Sequence, residues 1–182
     1  MDMSLKLAIR LNALALYAIS AILLFAFYWQ MAYGELPSPL CQLQRVAIAA
    51  LAVGPILTIR HGPKPGHYGL VIIAALLGAA IAARQILQHI TPGDAGFGSA
   101  VLGLHFYTWA FLCFVAAILA AAVMLTFAKQ FAPEVRAPAR GMFVDMAVWL
   151  VVGVTALNAA SALLECGMGG CPADPVRYET RN

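Results

Sequence analysis

The stretch LNALALYAISAILLFAFYWQMAY, residues 11–33, contains no charged side chain. A helix needs about 20 apolar residues to cross the hydrocarbon core of a bilayer. This run is too long for the apolar region of a cleaved signal peptide, and no small-residue cleavage site follows it. We therefore predict a retained membrane span over these residues.

Four further apolar runs are long enough to cross a bilayer. They cover residues 42–59, 67–90, 104–128 and 142–164. Of the 182 residues, 63% are hydrophobic and 10% are charged, whereas about a quarter of the residues of a soluble domain are charged. The sequence predicts an all-α integral membrane helical bundle over 1–165, surrounded by membrane lipid, with a short tail over 166–182. A net charge of +3 is too weak to indicate a nucleic-acid partner.

Lysine and arginine set the expected orientation, because cytoplasmic loops carry an excess of them. Lys6 and Arg10 precede the first span, and the connections 60–67 and 129–140 hold two and three basic residues. With five spans, these segments all lie on one side. Two arginines in the tail weaken this asymmetry without reversing it. We expect a cytoplasmic N-terminus and a C-terminus on the outer face of the membrane, which in a Gram-negative bacterium is the periplasmic side of the inner membrane.

The segment SPLCQLQR, residues 38–45, opens the second span. A Cys-x-x-Cys pair at a helix start is a redox device, because the helix N-terminus and a nearby cation stabilise a thiolate. Here Cys41 holds the second position and Ser38 the first. Arg45 lies four residues after Cys41, on the same helix face, and its charge favours the thiolate. The alternative is that Arg45 only extends to the membrane interface.

The other cysteines fall at two places. Cys166 and Cys171 flank a glycine-rich loop in ECGMGGCP, residues 165–172, short enough for a disulfide. A disulfide that closes so small a loop stabilises little, so we favour exchange with a partner thiol over a static staple. Cys113 lies in the middle of a span and is expected to be a small buried hydrophobe.

Polar side chains gather at the outer ends of the third and fourth spans, where ionisable groups are usually functional. Arg84, His89 and His105 are predicted to converge with Cys41 and Arg45 on a pocket for a membrane-soluble electron acceptor. Anchoring at the membrane interface is the alternative. No metal site is predicted, because two histidines beside a loop are a weak signal for haem or metal.

Four segments together resemble the DsbB family of bacterial disulfide-bond-formation proteins, which pass electrons from a periplasmic thiol oxidase to a quinone. They are PLCQLQR (39–45), RQILQH (84–89), GLHFYTW (103–109) and ECGMGGCP (165–172). The resemblance implies a four-helix core around the site, to which this chain adds a fifth span. It also implies ubiquinone or menaquinone as the cofactor and a DsbA-like thioredoxin-fold thiol oxidase as the partner.

The same resemblance assigns roles by position. Cys41 would face the quinone, and Arg45 would stabilise its thiolate and the reduced quinone. Ser38 occupies the position of the other cysteine of the pair. Cys166 and Cys171 would form the second pair, which the better-known members carry after the third span. A fifth span returns this pair to the same side of the membrane as Cys41.

Three functions remain open from the sequence. The first is a quinone-dependent protein disulfide oxidoreductase that is impaired at Ser38, because a hydroxyl cannot form a disulfide. The second is a non-catalytic quinone-binding or assembly subunit. The third is a reductase that delivers electrons outward, although the sequence offers no site for its electron donor.

Overall fold

The computed structural model describes residues 4–131 and 141–167. Within them, five helical segments are long and apolar enough to cross a membrane, which confirms the prediction of an all-α membrane bundle. The described helices are α1 (Leu5–Tyr33), α2 (Pro39–Ala50), α3 (Val53–His61), α4 (Pro65–Gln88), α5 (Phe106–Leu125) and α6 (Met142–Cys166). A short 3₁₀ turn follows α5 at Ala128–Phe131.

The first helix begins earlier than the apolar run that predicts it. Ser4 caps its N-terminus by accepting a hydrogen bond of 3.3 Å from the backbone N–H of Leu7, which satisfies one of the free donors of the first turn. Gly34 ends the helix with a φ of 68°, a left-handed conformation that glycine adopts at little cost. The helix therefore includes a basic first turn that the hydropathy pattern excludes.

The second span is divided into α2 and α3, whereas the sequence predicts one uninterrupted segment. The interruption lies at Leu51 and Ala52. Pro55 stands in the first turn of α3 and has no N–H to donate to the carbonyl four residues earlier, and its ring crowds that carbonyl. The hydropathy pattern does not reveal this break, because the mean hydropathy of the apolar run stays high when one of its residues is proline.

The helices pack through small side chains. α4 lies against α5 and α2, and α1 lies against α6 and α3. At Gly78 of α4, an added Cβ would collide with the ring of Phe114, which is fully buried. This glycine therefore lets α5 approach α4 closely, as small residues do between membrane helices.

A two-stranded hairpin precedes α5, and the sequence reading did not predict it. Strand β1 (Ala100–Val101) pairs antiparallel with β2 (Leu104–His105). Its turn places Leu102 at a φ of 52°, a conformation that costs a non-glycine residue about 1–2 kcal/mol. The Trp109 indole N–H donates 2.9 Å to the carbonyl of Val101, which fastens the hairpin to α5.

The C-terminal end of α6 differs from the predicted boundary between bundle and tail. The helix continues through Cys166 and ends at Gly167, so the first tail cysteine belongs to the last helical turn. The remaining predicted tail, including Cys171, lies outside the described residues.

Candidate functional site

Cys41 is placed by the cap of α2. Ser38 is the N-cap, and its hydroxyl oxygen accepts a hydrogen bond of 3.3 Å from the Cys41 N–H. Pro39 occupies the first turn, where its missing N–H costs nothing. The Ser38 hydroxyl also lies 3.3 Å from the Cys41 sulfur. Ser38 therefore caps the helix and contacts the sulfur of Cys41, which is a free thiol.

Helix α4 supplies a second contact to this sulfur. Gln85 is 1% exposed, and its Nε2 lies 3.4 Å from both the Cys41 sulfur and the Ser38 oxygen. Gln44 of α2 donates 2.8 Å to Oε1 of Gln85, which fixes the orientation of the amide. The neutral Gln85 amide and the Ser38 hydroxyl thus contact the thiol.

Arg45 is directed toward α1. Its guanidinium donates 2.7 Å to Oε1 of Gln30 and 3.0 Å to the carbonyl of Ala26. The Gln30 amide in turn donates 3.0 Å to the hydroxyl of Ser161 on α6. The fifth span therefore helps to position the arginine that the sequence analysis paired with Cys41.

A cavity of about 490 Å³ joins the two residues. α1 contributes Ile22 and Phe25 to its wall, α5 contributes Phe106, and the hairpin contributes Val101. The lining is largely apolar, and its polar or ionisable members are Trp29, Gln30, Glu35, Cys41, Gln44, Arg45, Trp109 and Cys113. Small-molecule sites commonly have this size and this balance of apolar walls with few polar groups.

The outer loops meet at the rim of the cavity. Glu35 accepts hydrogen bonds from the backbone N–H of Ser99, at 3.0 Å, and from its hydroxyl. Partial burial raises the pKa of Glu35, but the hydrogen bonds from Ser99 and from other groups outweigh it and hold the pKa of the carboxyl below its usual range. The first loop is thereby tied to the segment before the hairpin.

His89 and His105 both stack on the ring of Tyr107. Their ring centroids lie 5.7 Å and 5.2 Å from the tyrosine ring, and both pairs are stacked. His89 Nδ1 also lies 3.2 Å from Asp94. Hydrogen bonds from the Gly96 N–H and from His89 lower the pKa of Asp94. The stack joins the end of α4 to the start of α5.

The three polar residues predicted for the pocket are therefore not in its wall. Arg84 is exposed on α4, and the cavity lining includes neither Arg84 nor His89 nor His105. Among residues 4–131 and 141–167, no three His, Cys, Asp or Glu side chains are grouped to hold a metal ion.

The other cysteines differ from expectation. Cys113 is only partly buried and lines the same cavity as Cys41, whereas the sequence predicts a residue buried in the core. Cys166 is disulfide-bonded and 9% exposed, although the sequence analysis treats it as part of an exposed loop.

The two cysteine-bearing helix ends are adjacent. Gln42, the residue after Cys41, donates 2.6 Å to Oε2 of Glu165, the residue before Cys166. Cys41 and Cys166 are therefore at one end of the bundle, as the five-span topology requires.

The sequence analysis overlooked several polar residues that build this site. They are Gln30, Gln42, Gln44, Ser161 and Glu165. Asn158, Ser161 and Glu165 follow one another at helical spacing on α6, and all three are buried. A buried polar stripe inside a membrane span was the signal that could have revealed the role of this helix.

Comparison with known proteins identifies the fold and the Cys41 segment with one family. Residues 9–99, half of the chain, match the sequence model described as "Disulfide bond formation protein DsbB". The chain belongs to the DsbB family. The matched part of the chain includes Ser38, Cys41 and Arg45, whereas α5 and α6 lie beyond it.

Curated relatives agree with this assignment. A "Disulfide bond formation protein B" of Xanthomonas axonopodis pv. citri (strain 306) is 42% identical over 86 residues, which cover 44% of this chain and 50% of that protein. The protein of that name in Azoarcus sp. (strain BH72) is 36% identical over 86 residues, 44% of this chain and 52% of the relative. The chain thus spans about half the length of the curated relatives it matches. No solved structure matches it.

Proposed function

We propose that this DsbB-family protein is a membrane thiol–disulfide oxidoreductase that passes electrons from a periplasmic dithiol protein to a quinone. In this chain Ser38 replaces one redox cysteine and impairs the relay. The observation that carries the proposal is the placement of the free Cys41 thiol and Arg45 on one apolar cavity of about 490 Å³. The partner we propose is a DsbA-like thiol oxidase of the thioredoxin fold.

The cavity fits a quinone. Phe25 and Phe106 offer apolar surface to a flat ring, and Arg45 offers N–H donors for a ring oxygen. The wall of the cavity follows α5 from Phe106 to Cys113. At about 1.5 Å per residue, this stretch is about 10 Å long, which gives room for the apolar tail of a quinone. A bound quinone, ubiquinone or menaquinone, would accept two electrons and two protons.

The protein's own residues would act as follows. The guanidinium of Arg45, held by Gln30, places positive charge at the cavity that Cys41 also lines. Gln85 donates toward the same sulfur at 3.4 Å. His89 and His105, which both stack on Tyr107, would join the end of α4 to the start of α5. Neither they nor Arg84 would contact the cofactor.

Cys166 would exchange its disulfide with the partner. We propose Cys171, the remaining cysteine of the chain, as its disulfide partner. In an intact relay this disulfide would accept electrons from the dithiol protein. The reduced pair would then reduce a second disulfide between Cys41 and a cysteine at position 38.

Ser38→Cys tests this relay. The hydroxyl oxygen of Ser38 already lies 3.3 Å from the Cys41 sulfur, so a thiol at this position is placed for a disulfide. We expect the variant to reduce quinone when it is given a dithiol protein. A restored variant that binds quinone but oxidises no thiol would favour the second candidate function, a non-catalytic quinone-binding subunit. The close fit of the Ser38 side chain beside Cys41 is the observation that favours this candidate.

Quinone binding has its own test. A Cys41 thiolate beside a quinone should give a charge-transfer absorption band in the protein as it stands. Arg45→Ala should abolish the band, whereas Arg60→Ala, at the other end of the second span, should retain it. A band that survives Arg45→Ala would contradict the assigned role of the arginine.

A further inference from the structure

Two loops cover one end of the cavity that holds Cys41. Residues 34–38 join α1 to α2, and residues 89–105 join α4 to α5. The first loop contributes Leu36 and Pro37 to the cavity wall, and the second contributes Phe97 and Val101. Cys41 lies in the first turn of α2, directly after the first loop, so the loops lie between its cavity and the water at that end of the bundle. We call residues 97–102 of the second loop the cover segment.

Glu35 fastens the cover segment to the first loop. Its carboxylate accepts a hydrogen bond of 3.0 Å from the backbone N–H of Ser99 and a second one from the Ser99 hydroxyl. Partial burial raises the pKa of Glu35, but hydrogen bonding outweighs it and holds the pKa below its usual range, so the carboxyl is ionised at neutral pH. Hydrogen bonds to an ionised acceptor are stronger than those between neutral groups.

Other contacts of the cover segment lead back to the start of α5. The Trp109 indole N–H donates 2.9 Å to the carbonyl of Val101, and Nδ1 of His105 lies 3.1 Å from the carbonyl oxygen of Gly98. These partners follow the cover segment closely in the chain. They would therefore stay attached to it if the segment moved away from the first loop.

Glycines border the cover segment on both sides. Gly96 has a φ of 73° and Gly103 a φ of 80°, conformations that glycine adopts as readily as those of negative φ. Because glycine also reaches conformations closed to other residues, the backbone can turn at either border while the segment keeps its contacts with α5. The cover segment thus has a pivot on one side and the Glu35–Ser99 pair on the other.

Reactants reach Cys41 through the cavity. Ser38 and Gln85 contact its sulfur, and the thiol lines the cavity. Phe25 lines the same cavity and is 44% exposed on α1, so the cavity also borders the lipid around the bundle. An apolar molecule can approach the thiol from the bilayer, whereas a charged molecule has to pass the cover segment.

We propose that the cover segment is a lid over the Cys41 cavity and that the Glu35–Ser99 pair is its latch. With the latch closed, water-soluble reactants are kept from the thiol while the route from the bilayer stays open. With the latch broken, the lid swings on its contacts with α5 and admits them. The lid goes beyond the proposed electron transfer, since it rests on the cavity and the free thiol and involves neither a quinone nor a dithiol protein.

Glu35→Ala removes the latch. Two methanethiosulfonate reagents are compared in detergent, one neutral with a methyl group and one with a trimethylammonium group. Digestion and mass spectrometry give the rate at Cys41 separately from Cys113, the other free thiol of the cavity. We expect the cationic reagent to react about tenfold faster or more in the variant, because two hydrogen bonds to a charged group are lost, and the neutral reagent to react at an unchanged rate.

The sign of the charge makes this comparison strict. Loss of the negative Glu35 removes an attraction for the cationic reagent, so a faster reaction reports access and not electrostatics. An unchanged cationic rate would overturn the proposal. An equal acceleration of both reagents would also overturn it, because the substitution would then have loosened the whole cavity.

Two further variants alter the loop without altering charge. Ser99→Ala removes the hydroxyl donor and keeps the backbone N–H, so the cationic rate should rise by less than in Glu35→Ala. Thr91→Ala removes an exposed hydroxyl from the same loop and should leave the rate unchanged. A rise in Thr91→Ala equal to that in Ser99→Ala would show that the latch is not the barrier.

Amide hydrogen exchange of the unaltered protein gives an answer even if the variants fold poorly. The Ser99 N–H is donated to Glu35, whereas Ala95 lies exposed on the same loop. Exchange at Ser99 should be about tenfold slower or more than at Ala95, since it requires the latch to open. Equal exchange at both amides would overturn the proposal. Failure of quinone binding or of thiol oxidation would leave it standing.

Discussion

The Gln42 amide donates a hydrogen bond of 2.6 Å to the carboxyl of Glu165. This contact joins α2, which begins at the Cys41 thiol, to α6, which ends at the Cys166 disulfide. Both partners are buried, and they come from spans that are distant in sequence. The bond therefore holds together two cysteine-bearing helix ends that the chain supplies separately.

Gln42→Ala should destabilise the bundle. It leaves both oxygens of Glu165 without a described donor, and an unsatisfied buried polar group costs about 1–3 kcal/mol. Thermal unfolding in detergent measures the loss. Leu43→Ala is the matched control, because Leu43 is 50% exposed and its truncation should cost much less. Equal melting temperatures for Gln42→Ala and the unaltered protein would mean that the bond contributes nothing to stability.

Ser38→Ala should weaken the cap of α2 and alter Cys41. Loss of an N-cap hydroxyl costs about 1 kcal/mol, and the sulfur also loses a contact at 3.3 Å. Ser4→Ala removes a comparable cap from α1 far from any cysteine. Both variants should melt earlier, but only Ser38→Ala should change the rate at which Cys41 is alkylated. The same rate in both would show that the hydroxyl does not influence the thiol.

Cys113→Phe should obstruct the cavity. Cys113 lines it, so a phenyl group there occupies part of the 490 Å³ and should weaken quinone binding about tenfold or more, equivalent to about 1.4 kcal/mol. Leu112→Phe adds a ring at the neighbouring position, which is 45% exposed, and should bind normally. Titration of the charge-transfer band gives both affinities. Normal binding by Cys113→Phe would place the quinone elsewhere.

The link between Glu35 and Ser99 should depend on pH. The pKa of Glu35 is lowered in the folded protein, so its contribution to stability is present above the usual glutamate pKa of about 4.3. That contribution is lost as the pH falls through the lower folded value. Unfolding measured over this range should show a smaller pH dependence in Glu35→Gln than in the unaltered protein. An identical pH dependence in both proteins would mean that a group other than Glu35 causes it.

The spans and the position of Cys41 follow from local sequence, because long apolar runs and a Ser-Pro cap act within a few residues. The direction of Arg45 does not, since it depends on which face of α1 presents Gln30. Helical spacing places Arg45 below Cys41, yet the guanidinium finds its hydrogen-bond partners on a neighbouring helix. The contribution of Ser161 and Glu165 likewise depends on how α6 is rotated against α1 and α2.

The break at Leu51 and Ala52, just before Pro55, and the hairpin tip at Leu102 were hidden for different reasons. Pro55 lies inside an apolar run, and hydropathy does not register a missing N–H. Leu102 is a poor residue for a left-handed turn, so its sequence argues against the hairpin that Trp109 secures. His89 and His105 were predicted to line the pocket because they lie near the same end of the bundle as Cys41. Their rings instead stack on Tyr107 and are not in the cavity wall.

The wall of the cavity is divided between two parts of the chain. The half that matches the DsbB family, residues 9–99, holds the thiol and the arginine, whereas Val101, Phe106 and Cys113 lie beyond it. A substitution on either side of residue 99 therefore changes the wall of the same cavity, so the part of the chain outside the family match shapes the space beside Cys41.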